Sequence, residues 1–355
     1  MNILFSSRHD VFRQSGGDTL HMLTYAHALE SLGVKVFLPG QIPDQKPDLI
    51  HHFNIGRPES ALAHLRRFPG KPLLISSVYV DYSLADSQNR SVLSHLSGWL
   101  LNKQKREYWK AYYRFLRRQR EKLDPQYRKL GHAKSVNCLL KRADAVLTAS
   151  HSEAGRLAAD FPDVFFRSHI LPPALSSIFN VTENHSKNDD WILCAARFEP
   201  LKNQLRLIKA VKGTTFKLFL AGIAAPNHKA YLARCKQAAD NNVVFLGSLS
   251  QSELLYYYQK CAIHALPSFF ETTGLSTLEA LSQGCKAVVG AGSDVRDIFV
   301  DRVHYADPRN ENSIRKALIA ASKDGRNHQQ WVHTHFDPKR LAERLVEIYK
   351  STLAP

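Results

Sequence analysis

Cysteine is scarce in this chain and never occurs as a C-x-x-C pair. The five cysteines are scattered from Cys138 to Cys285, and their number is odd. The odd number, the scatter and the absence of closely spaced pairs argue against a disulfide framework and a structural zinc site, and they indicate reduced thiols in a cytosol. Low-complexity tracts and fixed-period repeats are absent as well, so nothing in the sequence is typical of a disordered or repetitive protein.

Long apolar runs are also missing from the sequence. No apolar segment approaches the roughly 18 residues that are needed to span a bilayer. The first residues, MNILFSS, enter a strand-like run at once, without the long apolar core of a signal peptide. We therefore expect a cytoplasmic protein, either free or peripheral on the inner face of the cell membrane.

Strand-like and helix-like patterns alternate in both halves of the chain. Its 355 residues, 44% of them apolar and 23% charged, are many for a single core. Apolar runs separated by helical patterns indicate parallel sheets that are covered on both faces. The runs are NILFSS, VKVFLP, DLIHHF and KPLLISSVYV, then WILCAARF, TFKLFLAG, VVFLG, CAIHALPS and CKAVVG. The sequence predicts an α/β protein with two Rossmann-like, doubly wound domains that face each other across a cleft.

The domain boundaries follow from composition. We place an N-terminal domain at 1–172, a linker at 173–190 that ends in the polar segment TENHSKNDD, and a C-terminal domain at 191–330. A basic helical insertion lies at about 95–142, and we expect a helix within 331–355 to cross back toward the first domain. Ligands of such sheets bind outside the carboxyl ends of the strands, so the loops there are the candidate sites.

Two glutamates flank a turn in SFFETTGLSTLEA, after the strand CAIHALP. A helix is expected to begin near Thr273 or Gly274, and its free backbone N–H groups attract anions such as phosphate. Glu271 would accept hydrogen bonds from sugar hydroxyls, and Glu279 would accept them from both hydroxyls of a ribose. The alternative is a capping box between Ser276 and Glu279, with a solvated glutamate.

Two cations follow the strand WILCA. In AARFEPLKNQ, Arg197 and Lys202 stand on either side of a short proline-containing turn that leads into a helix. Fixed cations at the end of a strand suit a diphosphate, above all one that gains charge as a bond breaks. The alternative is an ordinary pair of surface cations beside a turn.

A glycine pair, Gly16-Gly17, separates the first strand from the first helix in QSGGDTL. It permits close approach of a ligand to the backbone at a helix N-terminus. Asp18 is expected to be the N-cap of that helix, and Gly33 is expected to end it. The segment is not G-x-G-x-x-G, so the fingerprint of dinucleotide binding is absent.

Metal ligands are not evident. No D-x-D motif occurs where a metal ion would bridge a diphosphate, and Asp189-Asp190 lies in the predicted linker. His51-His52 ends a strand without an obvious carboxylate partner, so we predict hydrogen-bonded histidines there rather than a metal site. The expected chemistry is independent of metal and of any bound cofactor.

In combination, these motifs resemble those of a known enzyme family. The Gly-Gly turn, R-F-x-P-x-K-N at 197–203 and E-x(7)-E at 271–279 occur in this order, each in its expected half. They are similar to those of GT-B-fold glycosyltransferases in the large retaining group (glycosyl transferases group 1) that includes bacterial family 4 enzymes. The resemblance covers Met1 to about Gly292. It implies a hexosyl-type transferase of the EC 2.4 class that uses a UDP- or GDP-linked sugar.

The same resemblance implies the partners and the residue roles. The acceptor would be a glycan or a lipid-linked molecule, as in the biosynthesis of lipopolysaccharide or capsule. Arg197 and Lys202 would hold the donor diphosphate and act in catalysis together with Glu271, while Glu279 would bind the nucleotide ribose. The other implied donor contacts are Gly16, Gly17, Thr272, Thr273, Gly274, Leu275 and, beside the base in FLGSLS, Leu249.

Two positions depart from the family pattern. Members usually place a bulky or aromatic residue before the glycine of the motif, where this chain has Thr273. Many also carry a histidine after the fourth strand of the first domain, where this chain reads SSVYVDYS. Since Ser76, Ser77 and Val78 offer no titratable group, we choose Asp81 as the catalytic residue there. Acceptor contacts are then expected from Asp81, Tyr82 and Asn54.

The positive charge is concentrated in one stretch. The formal net charge is +16, and residues 103–142 hold fourteen Lys or Arg against three acidic residues. Aromatic and leucine side chains recur there at roughly helical spacing among the cations. The helix could pack on the first domain with solvated cations, or bind an anionic membrane surface. Binding of nucleic acid is not expected, because the aromatic residues recur at the spacing of a packed helix face and no RNA- or DNA-binding motif accompanies them.

Two further functions stay open at this point. A GT-B epimerase or hydrolase of nucleotide sugars would keep the donor site but would need a water-activating base, and no clear one is seen. A non-catalytic basic protein would bind membrane or nucleic acid through 103–142 and would show no affinity for nucleotides.

Overall fold

The computed structural model describes residues 1–13, 16–41, 43, 45–80, 124–181, 185–225 and 227–354. These residues form two compact units. The first unit contains the described residues up to 80, residues 124–174 and those from Pro338 onward, and the second contains Leu175–Asp337. The predicted Asp81 and Tyr82, and the basic residues 103–123, lie outside the described residues.

Twelve strands and twelve α-helices occur in the described residues. The strands are β1 Asn2–Ser6, β2 Lys35–Phe37, β3 Leu49–Phe53, β4 Leu73–Ser76, β5 Ala145–Thr148, β6 Ser168–Ile170, β7 Asn188–Ala195, β8 Lys217–Ala221, β9 Val243–Gly247, β10 Cys261–Leu266, β11 Lys286–Gly290 and β12 His304–Ala306. The helices are α1 Gly17–Ser31, α2 Glu59–Arg67, α3 Pro125–Arg142, α4 His151–Asp160, α5 Gln204–Val211, α6 Lys229–Ala238, α7 Gln251–Lys260, α8 Leu275–Ser282, α9 Val295–Phe299, α10 Glu311–Ser322, α11 Gln329–His335 and α12 Pro338–Leu353.

Each unit is built on one six-stranded sheet. The first sheet has the order β2-β1-β3-β4-β5-β6 and the second β12-β11-β10-β7-β8-β9, with parallel pairing throughout. Every residue of β3, β4 and β5 is buried, as expected for strands that are covered on both faces. The predicted pair of doubly wound parallel sheets is therefore confirmed.

The first helix differs from its prediction at one end. Gly16, not Asp18, is the N-cap of α1. Asp18 lies in the first turn instead, where its carboxylate accepts hydrogen bonds from Arg8 at 2.9 and 3.3 Å. The Arg8 guanidinium thus engages the oxygen atoms that an N-cap would use. The other end is confirmed, because Gly33 follows the helix with a φ of 77°.

Only part of the predicted basic insertion is described. Asp124 caps α3, and its side chain accepts hydrogen bonds from the backbone N–H groups of residues 126 and 127. One face of α3, including Tyr127, Val136 and Leu139, packs into the core of the first unit, while Lys129 and Lys134 are exposed. This part matches the packing interpretation, and membrane contact through 103–142 stays a prediction. In the described parts of the chain, no helix has the length and apolarity that crossing a membrane requires.

The last helix belongs to the first unit. α12 packs against α1, and its buried side chains Leu341, Leu345 and Tyr349 share a core cluster with Tyr25 and Leu29. The amphipathic pattern of DPKRLAERLVEIYKSTL accounts for this, since one face of the helix is apolar.

Candidate active site

Two segments that are distant in sequence meet at the carboxyl ends of β7 and β10. Lys202 Nζ lies 2.6 Å from Glu271 Oε1, although 69 positions separate the two residues. The two side chains keep only 20% and 12% of their surface exposed. Ser268 Oγ donates a hydrogen bond to the same Oε1 at 2.7 Å. The predicted cation and carboxylate therefore form one partly buried cluster.

A tight turn brings Lys202 into this cluster. Pro200–Lys202 form a short 3-10 helix, and Asn203 follows in the left-handed region with a φ of 62°. Asparagine tolerates this backbone conformation better than most residues. Its buried side chain donates hydrogen bonds to the carbonyl groups of Pro267, at 3.0 Å, and Pro308, at 2.7 Å. Asn203 thus fastens the turn after β7 to the segment after β10, a structural role that its place in the sequence motif does not reveal.

Arg197 stands at the more open side of the same turn. Its side chain is 43% exposed, and its guanidinium lies 3.9 Å from Glu199 Oε1, which is too long for a hydrogen bond. The backbone is held in place, because Gln204 Nε2 donates to the Arg197 carbonyl at 2.8 Å. The guanidinium can therefore turn toward an anion without loss of a strong partner.

Glycine is required where the turn after β10 meets α8. The helix begins at Leu275, within a residue of the predicted start, and Gly274 is its N-cap with a φ of 60°. A Cβ atom at Gly274 would lie 2.8 Å from the ring of Phe299. Thr272 is buried beside it and Thr273 is half-buried. Hydrogen bonding along α8 begins with the Thr277 N–H, which donates to the Gly274 carbonyl at 2.9 Å, so the N–H groups of Leu275 and Ser276 are the ones that can bind an anion.

Glu279 lies inside the second unit rather than in solvent. Its side chain is 5% exposed, and Tyr258 donates a hydrogen bond from its hydroxyl to Glu279 Oε2 at 3.1 Å. Burial raises the pKa of Glu279 to about 8, and the hydrogen bond from Tyr258 opposes that rise. The capping-box alternative is wrong, because the helix starts before Ser276 and the Glu279 carboxyl is buried. A buried carboxyl group with a raised pKa is typical of a functional site.

The predicted residues of the first unit lie after β1 and β3. The Gly16 N–H donates to Thr19 Oγ1 at 3.2 Å, and Gly17 is exposed at the start of α1. Asn54 follows β3 with a φ of 77°, and its side chain accepts a hydrogen bond from the Gly56 N–H at 3.1 Å. In the second unit, Leu249 is half-buried in the loop between β9 and α7. Ligand contacts by these residues stay predictions.

The two histidines at the end of β3 are fully engaged. His51 bonds the Tyr349 hydroxyl at 2.7 Å and Ser76 Oγ at 2.9 Å, and His52 bonds Ser6 Oγ at 3.1 Å. Burial lowers the pKa of both imidazoles, that of His52 to about 4. The prediction of hydrogen-bonded histidines is confirmed. Within the described ranges, no group of three or more His, Cys, Asp or Glu side chains is arranged to hold a metal ion.

A strained peptide after β4 was not predicted. Val78 has a φ of 42°, a conformation that β-branched residues rarely adopt. The buried carboxylate of Glu153 holds both sides of it, accepting hydrogen bonds from Ser77 Oγ at 2.6 Å and from the Tyr79 N–H at 2.7 Å. The other oxygen accepts from the Ala149 N–H at 2.7 Å. The strain is of the order of 1–3 kcal/mol and is typical of functional loops.

Comparison with known proteins agrees with the motifs. Residues 178–335 match the family model described as glycosyl transferases group 1. This segment includes Arg197, Lys202, Glu271 and Glu279, so the resemblance is confirmed over the second unit. The serotype-specific mannosyltransferase WbdA of Escherichia coli is 22% identical over an alignment of 222 residues that covers 57% of this chain and 27% of that protein. The chain thus spans about a quarter of the length of the curated relatives it matches.

Solved structures with the same fold match almost the whole chain. Sucrose-phosphate synthase of Thermosynechococcus elongatus superposes with a TM-score of 0.71 at 16% identity, covering 99% of this chain and 98% of that one. Anabaena HepE in complex with UDP-glucose gives 0.66 at 14% identity, covering 99% and 100%. WaaG, a glycosyltransferase involved in lipopolysaccharide biosynthesis, gives 0.59 at 17%, covering 98% and 99%. At these identities the likeness shows the fold, which is GT-B.

Proposed function

We propose that this protein is a retaining glycosyltransferase that moves a hexose-type sugar from a UDP- or GDP-linked donor to a glycan or lipid-linked acceptor. The observation that carries the proposal is the meeting of Lys202 and Glu271 within the segment that matches the glycosyl transferase model. The names of the relatives, a mannosyltransferase and a lipopolysaccharide glycosyltransferase, support a role in surface polysaccharide biosynthesis, in lipopolysaccharide or capsule.

The cations supply the charge that a departing diphosphate needs. Without a donor, Lys202 is neutralised by Glu271 at 2.6 Å. A donor phosphate beside Lys202 would share that cation. The Arg197 guanidinium, on the more exposed side of the turn, would bind the phosphate through two hydrogen bonds. We propose metal-independent transfer, because the Lys202 and Arg197 cations and the α8 N-terminus can serve the diphosphate in place of a metal ion.

The transfer needs no separate protein base, because the departing diphosphate can take up the proton of the acceptor. The bond between the anomeric carbon and the diphosphate oxygen breaks, and its electron pair leaves with the diphosphate. The acceptor hydroxyl oxygen bonds to the anomeric carbon, and its proton passes to the departing phosphate oxygen. Each fixed donor that stabilises the developing charge lowers the barrier by roughly 2.7–4 kcal/mol. Glu271 would hold the sugar hydroxyls and fix the anomeric carbon in place.

A nucleotide sugar is the donor class that the relatives support. Anabaena HepE has been solved with UDP, and with UDP-glucose, on the same fold. Glu279 and Leu249 would then contact the nucleoside. An acceptor that is lipid-linked would be met at the cytoplasmic face of the membrane, and we propose peripheral association there through residues 103–142.

The direct test is calorimetric titration of the full chain with UDP, GDP, CDP and ADP, with and without EDTA. We expect one nucleotide to bind clearly more tightly than the others, with an affinity that EDTA does not change. No binding by any of the four would contradict the transferase and favour a non-catalytic basic protein. Hydrolysis or epimerisation of the matching nucleotide sugar, without transfer to any acceptor, would favour the epimerase or hydrolase instead.

The strained peptide at Val78 gives a separate prediction. Glycine adopts a positive φ without strain, so Val78→Gly should raise the free energy of unfolding by about 1 kcal/mol while lowering the transfer rate. Val300→Gly is the matched control, because Val300 has a φ of 51° at an exposed position after α9 and should gain stability alone. Urea unfolding and donor turnover measure the two effects. Unchanged turnover in Val78→Gly would remove any functional role for the strain.

A further inference from the structure

A fully buried tyrosine, Tyr258, contacts the Glu279 carboxyl group. Tyr258 lies on α7, and its hydroxyl donates to Glu279 Oε2 at 3.1 Å. The Tyr258 ring makes edge contacts with Phe179, at a centroid distance of 5.8 Å, and with His264, at 5.9 Å. The hydroxyl is therefore held in one place by the packing of its ring.

The backbone of Tyr258 is fixed as well. Its carbonyl group accepts a hydrogen bond from Lys187 Nζ at 2.5 Å and one from the Cys285 thiol at 3.1 Å. Lys187 also donates to the Cys261 carbonyl at 3.0 Å, so it secures the C-terminal end of α7 to the start of β10. A tyrosine that is held at both ring and backbone can orient the carboxyl group it touches.

We propose that Tyr258 is a positioning residue for the nucleotide: it holds one carboxylate oxygen of Glu279 and favours the ionised form that receives the ribose hydroxyls. The proposal rests on the function proposed above, because it takes Glu279 as the group that binds the ribose. Tyr258 lies outside the sequence motifs, and its hydrogen bond to Glu279 makes nucleotide binding depend on pH.

The chemistry of a carboxyl group explains the dependence. An ionised carboxylate only accepts hydrogen bonds, whereas the protonated form carries an O–H that competes with the ribose hydroxyls. Burial raises the pKa of Glu279 to about 8, so the free protein near neutral pH holds this carboxyl mostly protonated. The Tyr258 hydroxyl acts in the opposite direction, because its hydrogen bond favours the charge. Nucleotide binding should therefore release a proton below about pH 8.

Two titratable neighbours of the pair, His264 and Cys194, change charge far from pH 8. Burial lowers the pKa of His264 to about 3, and it raises the pKa of the Cys194 thiol to about 12. Burial also raises the pKa of Cys285. Lys187 donates a hydrogen bond to the Tyr258 carbonyl and not to the Tyr258 hydroxyl or the Glu279 carboxyl. Among these groups, Glu279 is the one whose pKa lies near 8, so its ionisation accounts for the expected pH dependence of binding around that value.

The experiment compares Tyr258→Phe with the wild type across about pH 6 to 9.5. The probes are UDP-glucose and GDP-mannose, whose phosphates keep a constant charge over this range. Loss of the hydroxyl should move the rising part of the affinity profile upward by about one pH unit. Affinity should then fall about tenfold near pH 7 and about threefold or less near pH 9.5.

Tyr257→Phe is the matched control. Tyr257 loses the same hydroxyl from the same helix, but its ring packs on Phe219 at 5.6 Å. We expect its affinity profile to follow the wild type. A Tyr258→Phe profile that is lowered by one factor at every pH, or is unchanged, overturns the positioning role.

Glu279→Gln separates failure of this proposal from failure of the function. If Glu279→Gln binds both probes as the wild type does, the proposed donor site is wrong. If it binds weakly while Tyr258→Phe keeps the wild-type pH midpoint, the donor site stands and the positioning role fails. In the Glu279→Gln background, Tyr258→Phe should have no pH-dependent effect.

The stability of the free protein gives a second measurement that needs no ligand. Because the folded pKa of Glu279 is raised from 4.5 to about 8, the stability it contributes is complete below the lower value and is lost as pH rises to the upper one. Melting temperatures should therefore decline over this window more in the wild type than in Glu279→Gln. In Tyr258→Phe the decline should extend to higher pH, and an identical window would contradict the proposal.

Discussion

Glu279→Gln should weaken nucleotide binding by about 30- to 300-fold near pH 9, or ~2–3.5 kcal/mol. At that pH the wild-type carboxylate is ionised and can accept both ribose hydroxyls, whereas the amide has one oxygen and no charge. Near pH 6 the difference should narrow, because the buried wild-type carboxyl, whose pKa is about 8, is itself neutral. Between these limits the wild-type affinity should rise by up to about tenfold per pH unit.

Calorimetry with the nucleotide that binds best, at about pH 6, 7, 8 and 9, measures this change. Glu311→Gln is the control, since it removes the same charge from an exposed helix start in the same unit, where Glu311 pairs with Lys209 at 3.3 Å. The control should bind as the wild type does. Equal affinity of Glu279→Gln and the wild type near pH 9 would show that the ribose is bound elsewhere.

The strand pattern was predictable because both faces of each sheet are covered. Apolar runs such as DLIHHF stand out from their polar surroundings, and β3 is buried along its whole length. The exact bounds depend on pairing partners. β7, for example, begins at Asn188, three positions before the predicted run, because Asn188 pairs with Cys261 of β10. Local composition does not record such a partner.

Helix ends were predictable where the cap is a local feature. Gly274 and Gly33 mark helix ends by their backbone conformation, and both were identified from the sequence. Asp18 was assigned wrongly, because Arg8 engages its carboxylate, and a partner ten positions away does not show in a capping pattern. Competition between a local cap and a tertiary ion pair is thus where sequence reasoning about this helix failed.

The candidate site divides in the same way. Lys202 and Glu271 were recognisable, because each follows a strand in a motif of its own, and the parallel sheet then brings them together. Tyr258 was not recognisable from the sequence, because it is one of three consecutive tyrosines and only the packed helix shows which of them hydrogen-bonds Glu279. The positive φ of Val78 was not predictable from the sequence for another reason. Neither valine nor its neighbours in SSVYV carry a local signal of strain, because the positive φ of Val78 is set by the distant Glu153 carboxylate.

Lys202→Met should lower the rate of donor turnover by about 100- to 1000-fold with little change in KM, because the lost charge acts mainly on the departing diphosphate. The substitution also leaves Glu271, a mostly buried carboxylate, without its cation, so the free energy of unfolding should fall by about 1–3 kcal/mol. Lys209→Met is the control, because Lys209 is exposed on α5 and its surface ion pair contributes little.

A double variant separates the loss of charge from the loss of stability. In Lys202→Met/Glu271→Gln no unpaired charge is left in the cluster, so most of the stability should return. Ser268 can still hydrogen-bond the new amide, as it now does the carboxylate at 2.7 Å. Turnover should stay at least 100-fold low, because neither the cation nor the sugar-binding carboxylate is restored. If activity returned together with stability, Lys202 would be a structural residue, and the cation that serves the diphosphate would have to be sought at Arg197.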